Sequence, residues 1–274
     1  MSTESSVTTL TGIRGVVCDV DGVVHAGERV FTEAVEALNA WMAAGLGVVF
    51  VTNNASRAPE ELAARLTEDG VDVGVDQVLT GAMAGAHVVA EQVPAGSSVL
   101  VAGSEALARA TADAGLVPTD DPLEAAAVVQ GYAPSMTYQR LHDAARAVTA
   151  GAVWVATNRD LTLPTAWGQA PGNGAYVAAV ARATGQEPLV AGKPEGAVYS
   201  MALQRLGCSA DEAVAIGDRL ETDVAGANRA GLHSVLVTTG VHGVRDVEAL
   251  LAAGGDADQE PDHLVASLAA LRLS

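Results

Sequence analysis

Aromatic residues are scarce in this chain: two Phe, three Trp and four Tyr among 274 residues, or 3%. A core with so few rings must be packed with Ala, Val and Leu. Apolar residues reach 49%, enough for a full core and too many for a disordered chain. Small aliphatic packing suits buried parallel strands covered by helices. Basic residues are also few, 15 Lys and Arg against 33 Asp and Glu, for a formal net charge of −18. Such a field repels nucleic acid and anionic membrane, and no local Lys/Arg cluster offsets it. The two cysteines, Cys18 and Cys208, are far apart and lack metal-ligand spacing. They imply no disulfide framework and fit a reducing cytoplasm. No apolar stretch approaches the roughly 20 residues of a membrane-spanning helix. Residues 1–11 are rich in Ser and Thr, carry no basic-then-apolar leader and are expected to form a short disordered lead.

The apolar pattern along the rest is regular. Residues 16–20, 46–51 and 77–79 read as buried strands, and 32–44 and 59–69 as the helices between them. The order strand–helix–strand–helix is that of a doubly wound parallel sheet. The pattern then restarts, with strands at 98–102, 126–130 and 153–156 and helices at 105–114, 136–149 and 174–183. A helix at 195–206 and strands at 213–216 and 234–237 return to the first sheet, and a final helix is expected at 263–271. The expected architecture is therefore an α/β core of residues 12–80 plus 188–274, with a second α/β domain, 81–187, inserted into it.

Four short segments carry chemistry, and each follows an expected strand or opens a helix: Asp19-Val20-Asp21-Gly22, Thr52-Asn53-Asn54, Gly192-Lys193-Pro194 and Gly217-Asp218-Arg219-Leu220-Glu221-Thr222-Asp223. In open α/β sheets ligands bind off the carboxyl ends of the strands. A carboxylate there can attack phosphorus and divide hydrolysis into two easier steps. The attack joins two anions and needs a hard cation on oxygen ligands, which Asp19 and Asp218 can supply. Asp21 is spaced to protonate the leaving oxygen and then activate water. Thr52, Asn53 and Asn54 can hold phosphoryl oxygens, and Lys193 can neutralise the charge developing on them. Asp223 is expected to act through a partner, orienting Lys193 or a metal-bound water.

The set DVDGVV, TNN, GKP and GDRLETD resembles the four motifs of the haloacid dehalogenase superfamily, in the order and spacing of its phosphatase subclass IIA. That subclass includes NagD-like nucleotidases, 4-nitrophenyl phosphatases and phosphoglycolate or glycerol-3-phosphate phosphatases. The resemblance covers nearly all of the chain after about Gly12. It implies a Rossmann-like core with an inserted cap, Asp19 as nucleophile and Asp21 as general acid/base. It further implies Mg²⁺ on Asp19, the Asp21 carbonyl and Asp218, with phosphate on Thr52, Asn53 and Lys193. Asp21 favours phosphoryl transfer, because the superfamily's dehalogenases lack that second acid.

The expected substrate is a small phosphorylated metabolite, glycerol 3-phosphate or 2-phosphoglycolate ahead of nucleoside monophosphates, sugar phosphates and pyridoxal phosphate. Asn158, Arg159 and Asp160, followed by the Gly- and Pro-rich run 168–174, are the expected substrate contacts from the cap. The resemblance also admits a homodimer built through the cap. His25, just after the acids, is expected as an exposed loop histidine, and Trp41, Trp154 and Trp167 as packing residues. Two readings of another class stand beside the enzyme. A phospho-accepting regulatory domain would need neither Asp21 nor a cap. A catalytically silent binding module would need motifs missing, and none is.

Overall fold

The computed structural model describes residues 7–165 and 167–274. They fall into two compact units, one within Met1–Thr52, Glu60–Leu79 and Tyr199–Ser274, the other within Asn53–Pro59 and Thr80–Val198. The division differs from the boundaries expected at 80/81 and 187/188. Asn53–Pro59 and residues 188–198 group with the inserted unit.

The first unit is built on a six-stranded sheet in the order His263–Val265, His233–Val237, Ala213–Gly217, Gly15–Asp19, Gly47–Thr52, Val78–Thr80. Gly15–Asp19 pairs in parallel with Ala213–Gly217 on one side and Gly47–Thr52 on the other. These strands are continuous runs such as VVC, VVFV and AVAI, with no polar alternation, because helices cover both faces. The chain runs outward from Gly15–Asp19 to Val78–Thr80, then returns to Ala213–Gly217 and runs outward the other way. The order reverses between these two central strands, so their carboxyl ends flank the switch point where a crevice opens.

Helix Thr32–Ala43 turns Ala34, Val35, Leu38 and Trp41 inward, the spacing of one helix face. Helix Pro59–Glu68 does the same with Leu62, Ala63 and Leu66. Both faces enter one core with Val16, Val48, Phe50, Val214 and Ile216.

Two expectations need correction in this unit, and one helix was not expected. Residues 1–6 lie outside the described residues, but Thr8–Leu10 is a strand paired in parallel with Leu271–Leu273. The final segment is not a helix. His263–Val265 joins the sheet edge, Leu268–Ala270 forms a single 3₁₀ turn, and Leu271–Leu273 pairs with Thr8–Leu10. The i, i+3 spacing of Val265, Leu268 and Leu271 looks helical, yet Val265 and Leu271 are buried in strands paired with distant segments, and Leu268 packs into the core from the turn between them. Helix Val244–Ala252, absent from the expected elements, has no fully buried residue; Val247 and Leu250 lean on Leu220, Val224 and Leu236.

The second unit has its own parallel sheet in the order Leu189–Val190, Val153–Ala156, Ala127–Gln130, Ser98–Ala102, Val117–Thr119. Helices Glu105–Asp113 and Tyr138–Thr149 start where Ser104 and Thr137 accept hydrogen bonds from Leu107 and Arg140 backbone N–H groups. Helix Gly81–Gln92, not foreseen in the sequence, is likewise capped by Thr80. An antiparallel hairpin, Thr162–Thr165 with Gly168–Pro171, precedes helix Asn173–Thr184. Trp41 and Trp154 are packing residues as expected; Trp167, in the hairpin turn, is 75% exposed.

Leu38 is wholly buried. Its replacement by Ala should lower the unfolding free energy by about 2–5 kcal/mol, through lost burial and the cavity left behind. Urea denaturation measures it.

Candidate active site

Asp19 is the last residue of the central strand Gly15–Asp19, and Asp218 directly follows Ala213–Gly217 on the other side of the switch point. Asp223 lies in the turn Leu220–Val224 that comes next. Carboxylate oxygens of Asp19, Asp218 and Asp223 all lie within 4.8 Å of one another, with Asp218 and Asp223 buried. Asp223 was expected to act through a partner; the fold brings it into the same cluster.

The backbone around the cluster explains its glycines. A Cβ on Gly22 or Gly240 would run into the Asp218 carboxylate, and one on Gly217 into Asp223. Gly22 also has φ +86°, in the left-handed region that favours glycine. The Val241 N–H donates to Asp218 Oδ2 at 2.8 Å, and the Arg219 N–H donates to Asp223 Oδ2 at 3.1 Å. Tyr199 fastens the turn by donating its hydroxyl to the Asp223 carbonyl at 3.0 Å.

Like charges this close repel, by about 4 kcal/mol per pair at 4 Å and an effective dielectric of about 20. A cation removes that cost. The donors are all carboxylate oxygens, the choice of hard ions such as Mg²⁺, whose ligand oxygens sit at about 2.1 Å in octahedral array. Oxygens around such an ion are roughly 3–4 Å apart, and the observed spacing accommodates this. The residues present therefore fit a magnesium-sized ion.

Asp21 stands outside the cluster, its side chain 75% exposed. His25 is not the exposed loop residue expected: it is 7% exposed. Its Nδ1 is 2.6 Å from Asp69 Oδ2, and its Nε2 is 3.6 Å from Asp21 Oδ1. These carboxylates, Asp21 foremost, raise the imidazole above its ordinary pKa of 6.5, against the lowering effect of burial. Nothing local in the sequence links residue 25 to residue 69; only the packing of helix Pro59–Glu68 does.

Thr52 ends the strand beside Asp19's strand and is buried. In the second unit, Asn53 and Lys193 clasp each other. Asn53 Nδ2 donates to the Lys193 carbonyl at 3.0 Å, and the Lys193 N–H donates to Asn53 Oδ1 at 2.8 Å. Gly192 permits this, since a Cβ there would meet the Thr157 carbonyl and Asn53 Oδ1. Lys193 is 6% exposed, an ammonium that burial penalises unless anions or acceptors meet it. Asn54 spends its carboxamide oxygen on the N–H and hydroxyl of Ser56, each at 2.8 Å.

Among the cap residues, Asn158 is buried and holds the fold: its Nδ2 donates to the Asn53 carbonyl at 2.9 Å and its Oδ1 accepts from the Asp160 N–H at 3.2 Å. Arg159 and Asp160 are exposed, with Arg159 paired to Glu187 at 2.9 Å.

A parallel α/β sheet with acids at its switch point defines a class, and the family comparison agrees. Residues 16–117 match the profile described as haloacid dehalogenase-like hydrolase, and 190–271 match one described as HAD-hydrolase-like. The chain belongs to the haloacid dehalogenase-like hydrolases, in the NagD-like subclass IIA. Among individual proteins, it is 45% identical over 235 residues to D-glycerol 3-phosphate phosphatase of Mycobacterium tuberculosis, covering 84% of this chain. The chain spans only 64% of that relative's length. The crystal structure of glycerol phosphate phosphatase from M. tuberculosis in complex with magnesium superposes with a TM-score of 0.86 at 40% identity, covering 94% of this chain and 76% of that one. NagD from E. coli K-12 superposes with a TM-score of 0.84 at 31% identity, over 94% and 97% of the two chains.

Two substitutions test the site's construction. Gly240→Ala should push the Asp218 carboxylate aside and weaken Mg²⁺ binding by roughly 10- to 100-fold in calorimetric titration. Asn53→Ala removes both hydrogen bonds to Lys193. It should lower stability by about 1–3 kcal/mol in denaturant unfolding.

Proposed function

We propose that this chain is a Mg²⁺-dependent phosphatase that hydrolyses a small phosphate monoester, with glycerol 3-phosphate as its substrate. The observation that carries the proposal is the Asp19–Asp218–Asp223 cluster at the sheet's switch point, within 4.8 Å. The 45% identity to a glycerol 3-phosphate phosphatase supports that substrate over 2-phosphoglycolate.

In this reading Asp19, the Asp21 carbonyl and Asp218 would hold Mg²⁺, with Asp223 in the same cluster. The ion supplies charge neutralisation, without which an anionic nucleophile and an anionic phosphate repel each other. An Asp19 carboxylate oxygen attacks phosphorus and the bond to the leaving oxygen breaks. Asp21 donates its proton to that oxygen, then takes one from the water that hydrolyses the aspartyl phosphate. Thr52, Asn53 and Lys193 hold the phosphoryl oxygens. The inserted unit contributes Arg159 and Asp160 to substrate recognition, whereas the burial of Asn158 supports an architectural role.

Among the described residues no helix is long and apolar enough to cross a membrane. We place the protein in the cytoplasm as a homodimer formed through the inserted unit, the association that the family resemblance suggests. Light scattering in solution should give twice the monomer mass.

Phosphate release across a panel of phosphomonoesters tests the activity. With Mg²⁺, kcat/KM should be highest for glycerol 3-phosphate. Asp19→Asn should lower it at least about a thousandfold. EDTA should abolish turnover and added Mg²⁺ should restore it. Turnover indifferent to chelation, or surviving in Asp19→Asn, would refute the mechanism.

A further inference from the structure

The DVDGVV segment closes on itself immediately after the acids. The Gly22 N–H donates to the His25 carbonyl at 2.7 Å, and Asp21 and His25 form a β-bridge. His25–Ala26 then pairs with Arg29–Val30 in a small hairpin. The turn carries the His25 ring back toward Asp21 and into the packed interior.

The ring is held from the far side. Its Nδ1 lies 2.6 Å from Oδ2 of Asp69, whose side chain is only 4% exposed. Asp69 is held in turn by Arg65, with Nε 3.2 Å from Oδ1. An imidazole with one nitrogen tied to a buried, anchored carboxylate does not swing. The other nitrogen, Nε2, is presented to Asp21 Oδ1 at 3.6 Å.

This matters because the Asp21 side chain is 75% exposed. An exposed aspartate samples several rotamers, and a proton donor works only from within reach of the leaving oxygen. We propose that His25, anchored through Asp69 and Arg65, is a positioning residue that holds the Asp21 carboxyl in the orientation from which it protonates the leaving group. The role rests on the phosphatase reading above. It assigns a task to a histidine and an aspartate that lie outside the four motifs.

The test exploits the leaving group. An alkyl oxygen must be protonated as it departs, whereas p-nitrophenolate leaves with little help. A positioning defect at Asp21 therefore slows glycerol 3-phosphate and largely spares p-nitrophenyl phosphate. kcat/KM is the right quantity, since it reports steps up to and including loss of the leaving group. The ratio of the two values within one preparation does not depend on how much of the protein is folded.

His25→Ala should lower kcat/KM for glycerol 3-phosphate roughly 10- to 100-fold, and for p-nitrophenyl phosphate less than about threefold. His25→Gln keeps an N–H near the Nε2 position and His25→Asn keeps one near Nδ1. Gln should therefore restore the alkyl substrate more fully than Asn. If His25→Ala does not fold, the Gln and Asn variants decide alone. An equal fall on both substrates, no fall on either, or equal rates for Gln and Asn would overturn the role while leaving an active phosphatase. A wild-type chain that hydrolyses neither compound would overturn the phosphatase reading, and this role with it.

Discussion

Everything chemical in the first unit depends on holding three mutually repelling carboxylates within 4.8 Å. The chain does this by subtraction. Gly22, Gly217 and Gly240 leave out the Cβ atoms that would occupy the space of Asp218 and Asp223. Backbone N–H groups of Arg219 and Val241 then fix one oxygen of each acid. Two of the three acids are buried, so their repulsion is poorly screened by water. Such a cluster is poised for a hard cation.

The sheet sets where that cluster falls. Parallel strands must be joined by crossovers, so every carboxyl end lies along the same edge. Asp19, Thr52 and Asp218 come from far-apart segments yet finish or follow three neighbouring strands. The second unit achieves a comparable economy with one side chain. Asn53 binds the backbone of Lys193 in both directions and receives Asn158 on its carbonyl. The TNN and GKP segments are thus parts of one hydrogen-bonded structure.

The central elements were legible because their signals are local and mutually consistent. Apolar runs such as 16–20 and 46–51, short and flanked by glycine, read as buried strands, and the face of Ala34, Val35, Leu38 and Trp41 reads as a helix. The chain's ends were less legible. Val265, Leu268 and Leu271 have helical spacing, but pairing with His233–Val237 and Thr8–Leu10 draws their segment into strands. Helix Val244–Ala252 is missed although Val244, Val247 and Leu250 sit at helical spacing; it buries no residue fully and covers only the small cluster of Leu220, Val224 and Leu236.

The sequence by itself determined the chemistry: which acids are present, their spacing around Gly22 and Gly217, and the strands they follow. Those are properties of neighbouring residues, and local geometry carries them. Only the tertiary structure decided that Asp223 joins Asp19 and Asp218. It alone decided that Asn158 is a buried support, and that His25 is locked between Asp21 and Asp69. Each of those depends on residues distant in the chain, brought together by packing that no short window of sequence records.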